Sequence, residues 1–166
     1  MCDMVHTMNL NEPNPMTDLP VHQVEQFRRL VQRLFQCCQE RMHCQSERFG
    51  LPDAEIRCLL LFGEERYLTA KGIAQKLNVV KSRVTKIVDG LIRKTLLKKI
   101  PDPEDSRVVL LCLTPDGHAK LKEVTRFMLD LHAQVLGLIR PDQRSTLLSN
   151  LEMLRLSMET VNEALL

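Results

Sequence analysis

The stretch YLTAKGIAQKLNVVKSRVTKIVDGLIRKTLLKKI, Tyr67 to Ile100, decides how this chain folds. Thr69 has the short hydroxyl side chain that caps a first helical turn, and the apolar spacing after it predicts a helix over Ala70–Leu77. That helix buries Ile73, Ala74 and Leu77. Asn78 tolerates the left-handed backbone that turns the chain. A second helix is predicted from about Lys81 to Lys94, burying Val84, Ile87, Val88, Leu91 and Ile92. Two short helices across a tight turn, the second basic on its outer side, form a helix-turn-helix pattern.

Immediately downstream, LLKKI and RVVLLCL are β-prone runs separated by Pro101–Ser106, which predicts a two-stranded hairpin. Val108, Leu110 and Cys112 alternate with Val109, Leu111 and Leu113, so the strand is apolar enough to pack on the helices. The charged stretch Asp105–Arg107 then falls at the hairpin tip.

Upstream, Val24, Phe27, Leu30, Val31, Leu34, Phe35, Cys38 and Met42 step by threes and fours along one long amphipathic helix, about Leu19 to Phe49. Gly50 ends it, and Pro52 suits the first turn of a short helix from Asp53 to about Phe62. In the last third, Leu121, Val124, Met128, Leu131, Val135 and Leu138 form one heptad seam. Leu147, Leu151, Leu154, Met158, Val161 and Leu165 form another, and Arg140-Pro141-Asp142 breaks the chain between them. A small helix-turn-helix body cannot cover both seams and the stripe on the first helix, so a second subunit is expected to do so. The organisation expected is a disordered tail over 1–18, helical dimerisation segments over 19–50 and 115–166, and a DNA-binding domain over 51–114.

The 166 residues are 44% hydrophobic but only 4% aromatic, which favours a helical core built from Leu, Val, Ile and Met. No apolar run approaches the ~20 residues of a membrane span. The first residues lack the basic start and apolar core of a secretory signal, so a soluble cytoplasmic protein without a membrane partner is expected. Six cysteines in such a chain are expected to be free thiols. The net charge of +2 conceals an asymmetry. Lys71–Arg107 holds ten Lys/Arg against four Asp/Glu, whereas the remainder holds thirteen against seventeen. A cationic stretch on a mildly acidic body points to a polyanionic partner.

Asp105-Ser106-Arg107, five residues, Leu113-Thr114, two residues and Gly117 make a spaced pattern directly after the helix-turn-helix. On these residues the chain resembles the MarR family of winged helix-turn-helix transcriptional regulators, over roughly residues 20 to 162. The resemblance implies an α+β fold, mainly α with a small β-hairpin wing and long N- and C-terminal dimerisation helices. It implies a homodimer whose two winged domains bind a pseudopalindromic operator in double-stranded DNA. One position departs from the family pattern: the family has Gly after the recognition helix, and this chain has Lys94-Thr95-Leu96. Either the helix ends differently, or the backbone accepts strain there.

In that setting the Lys81–Lys94 helix enters the major groove. Lys81 opens it, and Ser82, Arg83, Thr85 and Lys86 fall on the face away from its core residues. Arg83 suits guanine, because its fork matches O6 and N7, worth ~1–3 kcal/mol of discrimination. Ser82, Thr85 and Lys86 suit bases or phosphates, and Lys71 suits phosphate. Lys98 and Lys99 add charge along the strand leading into the wing. Arg107 is placed to enter the adjacent minor groove, oriented by Asp105.

Cys37 and Cys38 are adjacent and about 100° apart on a helix, so they cannot share one metal ion. Glu40, His43, Cys44 and Glu47 have helical spacing, but no metal or other cofactor is expected; a small-molecule effector is compatible with the family. The expected function is sequence-specific DNA-binding transcriptional regulation, as a ligand-relieved repressor. The alternatives are a redox- or metal-responsive regulator of the same fold, and a winged-helix module that binds protein. Catalysis is not expected, since no nucleophile–base spacing or Gly-rich phosphate loop occurs.

Overall fold

The computed structural model describes residues 19–105 and 107–165. The expected tail, residues 1–18, lies outside the described residues. The elements are α1 (Val21–Phe49), α2 (Asp53–Leu61), β1 (Leu68–Thr69), α3 (Ala70–Leu77), α4 (Lys81–Arg93), β2 (Leu97–Pro101), β3 (Val109–Leu113), α5 (Pro115–Gly137) and α6 (Pro141–Ala164). The chain divides into two units, one ending at Gly50 and the other beginning at Leu51.

In the first unit, α1 is 29 residues long, about 43 Å at the usual rise. Gly50, at φ 61°, ends it in the left-handed conformation. Val21, Val24, Phe27, Leu30, Leu34 and Phe35 are all exposed along it.

The second unit is organised around α2, α3 and α4, which pack on one another. Leu59 of α2, Ile73 of α3, and Val84 and Leu91 of α4 are completely buried there. The sheet has three antiparallel strands in the order β1-β3-β2, not the two of a simple hairpin. Leu68 and Thr69 pair with Leu111 and Leu110, placing the start of α3 on the base of the wing. Val109 is exposed, whereas Leu111, Cys112 and Leu113 are all buried, so the strand's apolar character is used mostly at its base.

The turn between α3 and α4 follows from its side chains. Thr69 Oγ1 accepts from the Gly72 amide at 3.1 Å. Asn78, at φ 52°, closes α3 as Val79 N donates to Ala74 O and Asn78 N to Gln75 O. The end of α4 repeats this closure with a less suitable residue. Leu96 N donates to Leu91 O and Thr95 N to Ile92 O, both at 2.9 Å, while Thr95 adopts φ 59°. The helix therefore ends where a glycine would end it, and a β-branched residue takes the left-handed backbone. Thr95→Gly is expected to raise the unfolding free energy by about 1 kcal/mol in urea denaturation. A fall in stability would show that the Thr95 Oγ1 bond to Lys94 O, 2.7 Å, outweighs the strain.

Thr114 joins this junction to α5. Its Oγ1 accepts from Gly117 N at 3.0 Å, capping α5, and donates to Thr95 O at 2.5 Å. Its amide donates to Leu96 O at 3.1 Å. Pro141 then opens α6, in which no residue is buried. Along the two expected seams, Val124 is buried, but Val135, Leu138, Leu151, Met158, Val161 and Leu165 are exposed. Within the described residues of the second unit, most of both seams is left open.

Candidate nucleic-acid interface

Lys71, Lys81, Ser82, Arg83, Thr85 and Lys86 are all exposed, on α3 and α4. Their common exposure follows from the burial of Ile73, Leu77, Val84, Ile87 and Val88, which turns the intervening positions outward. Ser82, Arg83 and Lys86 line one shallow depression of about 300 Å³. Thr85 faces elsewhere. It lines a cleft of about 230 Å³ between α4 and the sheet, with Ala70, Val84, Val88, Asp89, Lys99, Val109 and Leu111. Its hydroxyl bonds back to Lys81 O at 3.3 Å.

Lys98 and Lys99 are consecutive on β2, paired with Cys112 and Leu111, so their side chains leave opposite faces of the sheet. Lys99 is on the α4 side, its Nζ 3.9 Å from Asp89 Oδ1. The two lysines therefore do not act from one surface.

At the wing, Asp105 holds Arg107 by two side-chain bonds, Nε to Oδ1 at 2.9 Å and an Nη to Oδ2 at 3.0 Å. Arg107 N also donates to Asp105 Oδ1 at 3.0 Å. The Arg107 guanidinium and amide hold the Asp105 carboxyl below its usual range, and the carboxylate raises the guanidinium in return. Glu104 N donates to Asp102 Oδ1 at 2.8 Å, closing the other side of the tip. Ser106 lies outside the described residues. Arg107 remains 88% exposed in its side chain, so it is oriented without being covered.

The cations differ in how they are compensated. Lys76 pairs with Glu65, Lys94 with Glu55 and Arg107 with Asp105. Among the described residues, Lys71, Lys81, Arg83, Lys86 and Lys98 have no carboxylate within 4.0 Å. Lys71, Lys81, Arg83 and Lys86 thus give the outer side of α3 and α4 positive charge that no carboxylate of the described residues neutralises, suited to phosphates.

The thiols separate by depth. Cys58 and Cys112 are buried, whereas Cys37 and Cys44 are exposed on α1. Burial, and then the nearby Glu55 carboxylate, push the Cys58 thiol up to about 12. Among the described residues no group of three His, Cys, Asp or Glu side chains is arranged to hold a metal ion. His43 meets Glu47 alone, at 3.4 Å. No helix of the described residues is long and apolar enough to cross a membrane.

Two contacts that support these elements have little local signature. Glu55 meets Lys94 across 39 residues, and Thr114 meets Thr95 across 19. The only sequence hint of the first is a glycine, Gly90, inside an otherwise strong helix.

Residues 49–108 match a family model described as MarR family. The HTH-type transcriptional repressor MdtR of Bacillus subtilis (strain 168) is 33% identical over 94 residues, 57% of this chain and 61% of that protein. The transcriptional regulator AdcR of Streptococcus pneumoniae serotype 2 (strain D39 / NCTC 7466) is 36% identical over 72 residues, 43% of this chain and 48% of that protein. The chain thus spans between about half and three fifths of these relatives. A MarR family protein from Bacillus stearothermophilus superposes with TM-score 0.75 at 20% identity, covering 85% of this chain and 99% of that one. Streptococcus pneumoniae FabT in complex with DNA gives TM-score 0.72 at 18% identity, covering 81% and 99%. These two likenesses are likenesses of fold. The motif, the matched family model and the fold agree: residues 49–108 are similar to the MarR family, and the chain has the winged helix-turn-helix fold of MarR family structures.

Proposed function

We propose that this protein binds double-stranded DNA sequence-specifically as a homodimer and regulates transcription, acting as a repressor at a pseudopalindromic operator. The uncompensated charge on α3 and α4 carries this reading: Lys71, Lys81, Arg83 and Lys86 are exposed and lack carboxylate partners among the described residues. In the proposed complex, α4 lies in the major groove, Arg83 reads guanine, and Ser82 and Lys86 reach bases or phosphates beside it. Lys71 contacts phosphate, with Lys81, Lys98 and Lys99 adding charge. Arg107, held by Asp105, enters the minor groove. Thr85, turned towards the wing, is the least exposed to bases.

The homodimer is supported by the open seams of α5 and α6 and the exposed apolar stripe of α1. A second copy supplies the partner that heptad spacing requires. The dimerisation segments are 19–50 and 115–166, and residues 51–114 form the DNA-binding domain. Relief by a small ligand acts by changing the spacing of the two recognition helices, so that half-sites one helical turn apart are no longer matched. A cytoplasmic location accords with this role. Comparing operator affinity with and without candidate phenolic ligands tests the relief, and indifference to all of them counts against it.

Footprinting of the purified protein, repeated with Arg83→Ala and Arg107→Ala, tests the assignment of roles. Arg83→Ala is expected to lose ~1–3 kcal/mol of discrimination at one base position. Arg107→Ala is expected to lose affinity mainly on A·T-rich flanks. Unchanged footprints for both remove these side chains from the interface.

A further inference from the structure

α2 and α4 share a contact that base reading, as described above, does not use. Glu55, in the first turn of α2, is buried to 7% exposure. Its Oε2 accepts a 2.6 Å hydrogen bond from Lys94 Nζ at the end of α4. Its Oε1 lies against Gly90, where an added Cβ would come within 2.1 Å of that oxygen and 3.0 Å of Cδ. The carboxylate therefore fills the place of a side chain on α4 and holds the helix again one turn further on.

Each half of this contact is unfavourable taken alone. Glycine in a helix interior is less stable than alanine. A buried ion pair is often no more stabilising than apolar side chains of the same volume. Alanine on α4 facing an aliphatic residue on α2 would pack the same space. What the ionic contact adds is direction. One carboxylate packed against Gly90 within α4 and bonded to Lys94 at its C-cap, four residues on, restrains both the roll of the helix and its slide along α2. Arg83 and Lys86 lie on the same rigid helix. A roll of 20° would displace a side chain by roughly 2 Å at the helix surface, judged from helix dimensions. Hydrogen bonds to base edges tolerate a few tenths of an ångström.

We propose that Glu55, Gly90 and Lys94 form a latch that sets the roll of the recognition helix, making Glu55 a positioning residue for base reading. The proposal rests on the DNA-binding function above. Duplexes selected from a random pool by the wild-type protein provide the probe, with a scrambled duplex of equal length as reference. Affinity for both, at one salt concentration, is measured beside urea denaturation for wild type, Glu55→Gln, Gly90→Ala and the double variant Glu55→Ala/Gly90→Ala.

Glu55→Gln keeps the shape of the contact and is expected to lower the selected-to-scrambled affinity ratio about tenfold, leaving the scrambled affinity unchanged. Gly90→Ala alone is expected to destabilise the fold. The double variant is expected to recover the urea midpoint yet retain the lowered ratio. A wild-type ratio in both Glu55→Gln and the double variant reduces the contact to packing and overturns the latch alone. A wild-type protein that prefers no duplex overturns the DNA-binding function and the latch together.

Discussion

Raising the salt from 50 to 200 mM is expected to weaken duplex binding by roughly 10³- to 10⁵-fold, as fits six to ten phosphate contacts. The expectation comes from the uncompensated cations. Each lysine or arginine that neutralises a phosphate releases condensed counterions, and that release is opposed by added salt. Lys71, Lys81 and Lys86 are exposed and have no internal carboxylate to satisfy them among the described residues. Two copies offer at least six such groups. Fluorescence anisotropy of a labelled duplex across a salt series reads the slope directly. A flat response would favour the winged-helix protein-interaction module, because apolar docking is not weakened by salt. Lys71→Ala should reduce the slope by about one per chain without changing base preference.

Gly117→Ala is expected to cost about 3 kcal/mol of unfolding free energy. A Cβ there would approach Leu96 O to 2.0 Å and Leu96 C to 3.0 Å. These are backbone atoms, and Leu96 O already accepts from the Thr114 amide, so the neighbour cannot turn aside as a flexible side chain would. Relief requires α5 to lift from the start of β2, breaking the bonds through which Thr114 ties α5 to Thr95. Urea denaturation with a fitted slope measures the loss. A change below about 0.5 kcal/mol, the usual effect of a surface substitution, would mean that the first turn of α5 adjusts freely.

The same contacts give physical content to the spaced pattern that identified the wing. Asp105 and Arg107 make the tip, the five following positions span most of β3, and Leu113 is buried at its base. Thr114 caps α5, and Gly117 permits the close approach. The helix-turn-helix was equally legible, because its boundaries are chemical: Thr69 caps α3, and Asn78 takes the left-handed backbone. What escaped depends on partners distant in the chain. Leu68 and Thr69 are a strand only by virtue of pairing with β3, and two residues carry no periodicity of their own. The choice at Thr95 between a different helix end and a strained one was decided by the closure bonds around it. Glu55 looked like an ordinary acidic residue in a first turn, where the helix dipole favours it. Cys37 and Cys44, expected to be free thiols, are exposed in the single chain. The division of labour between Lys98 and Lys99 was implicit in strand geometry, since neighbours on a strand face opposite ways.

The depth of Cys58 has a practical consequence. Fully enclosed, and with its proton held so firmly that almost no thiolate forms near neutrality, it is shielded from alkylating reagents while the fold stays shut. Cys37 and Cys44, out in solvent, have no such shelter. The molecule thus carries its own chemical clock, in which slow labelling at one sulfur counts the moments when α2 parts from its neighbours.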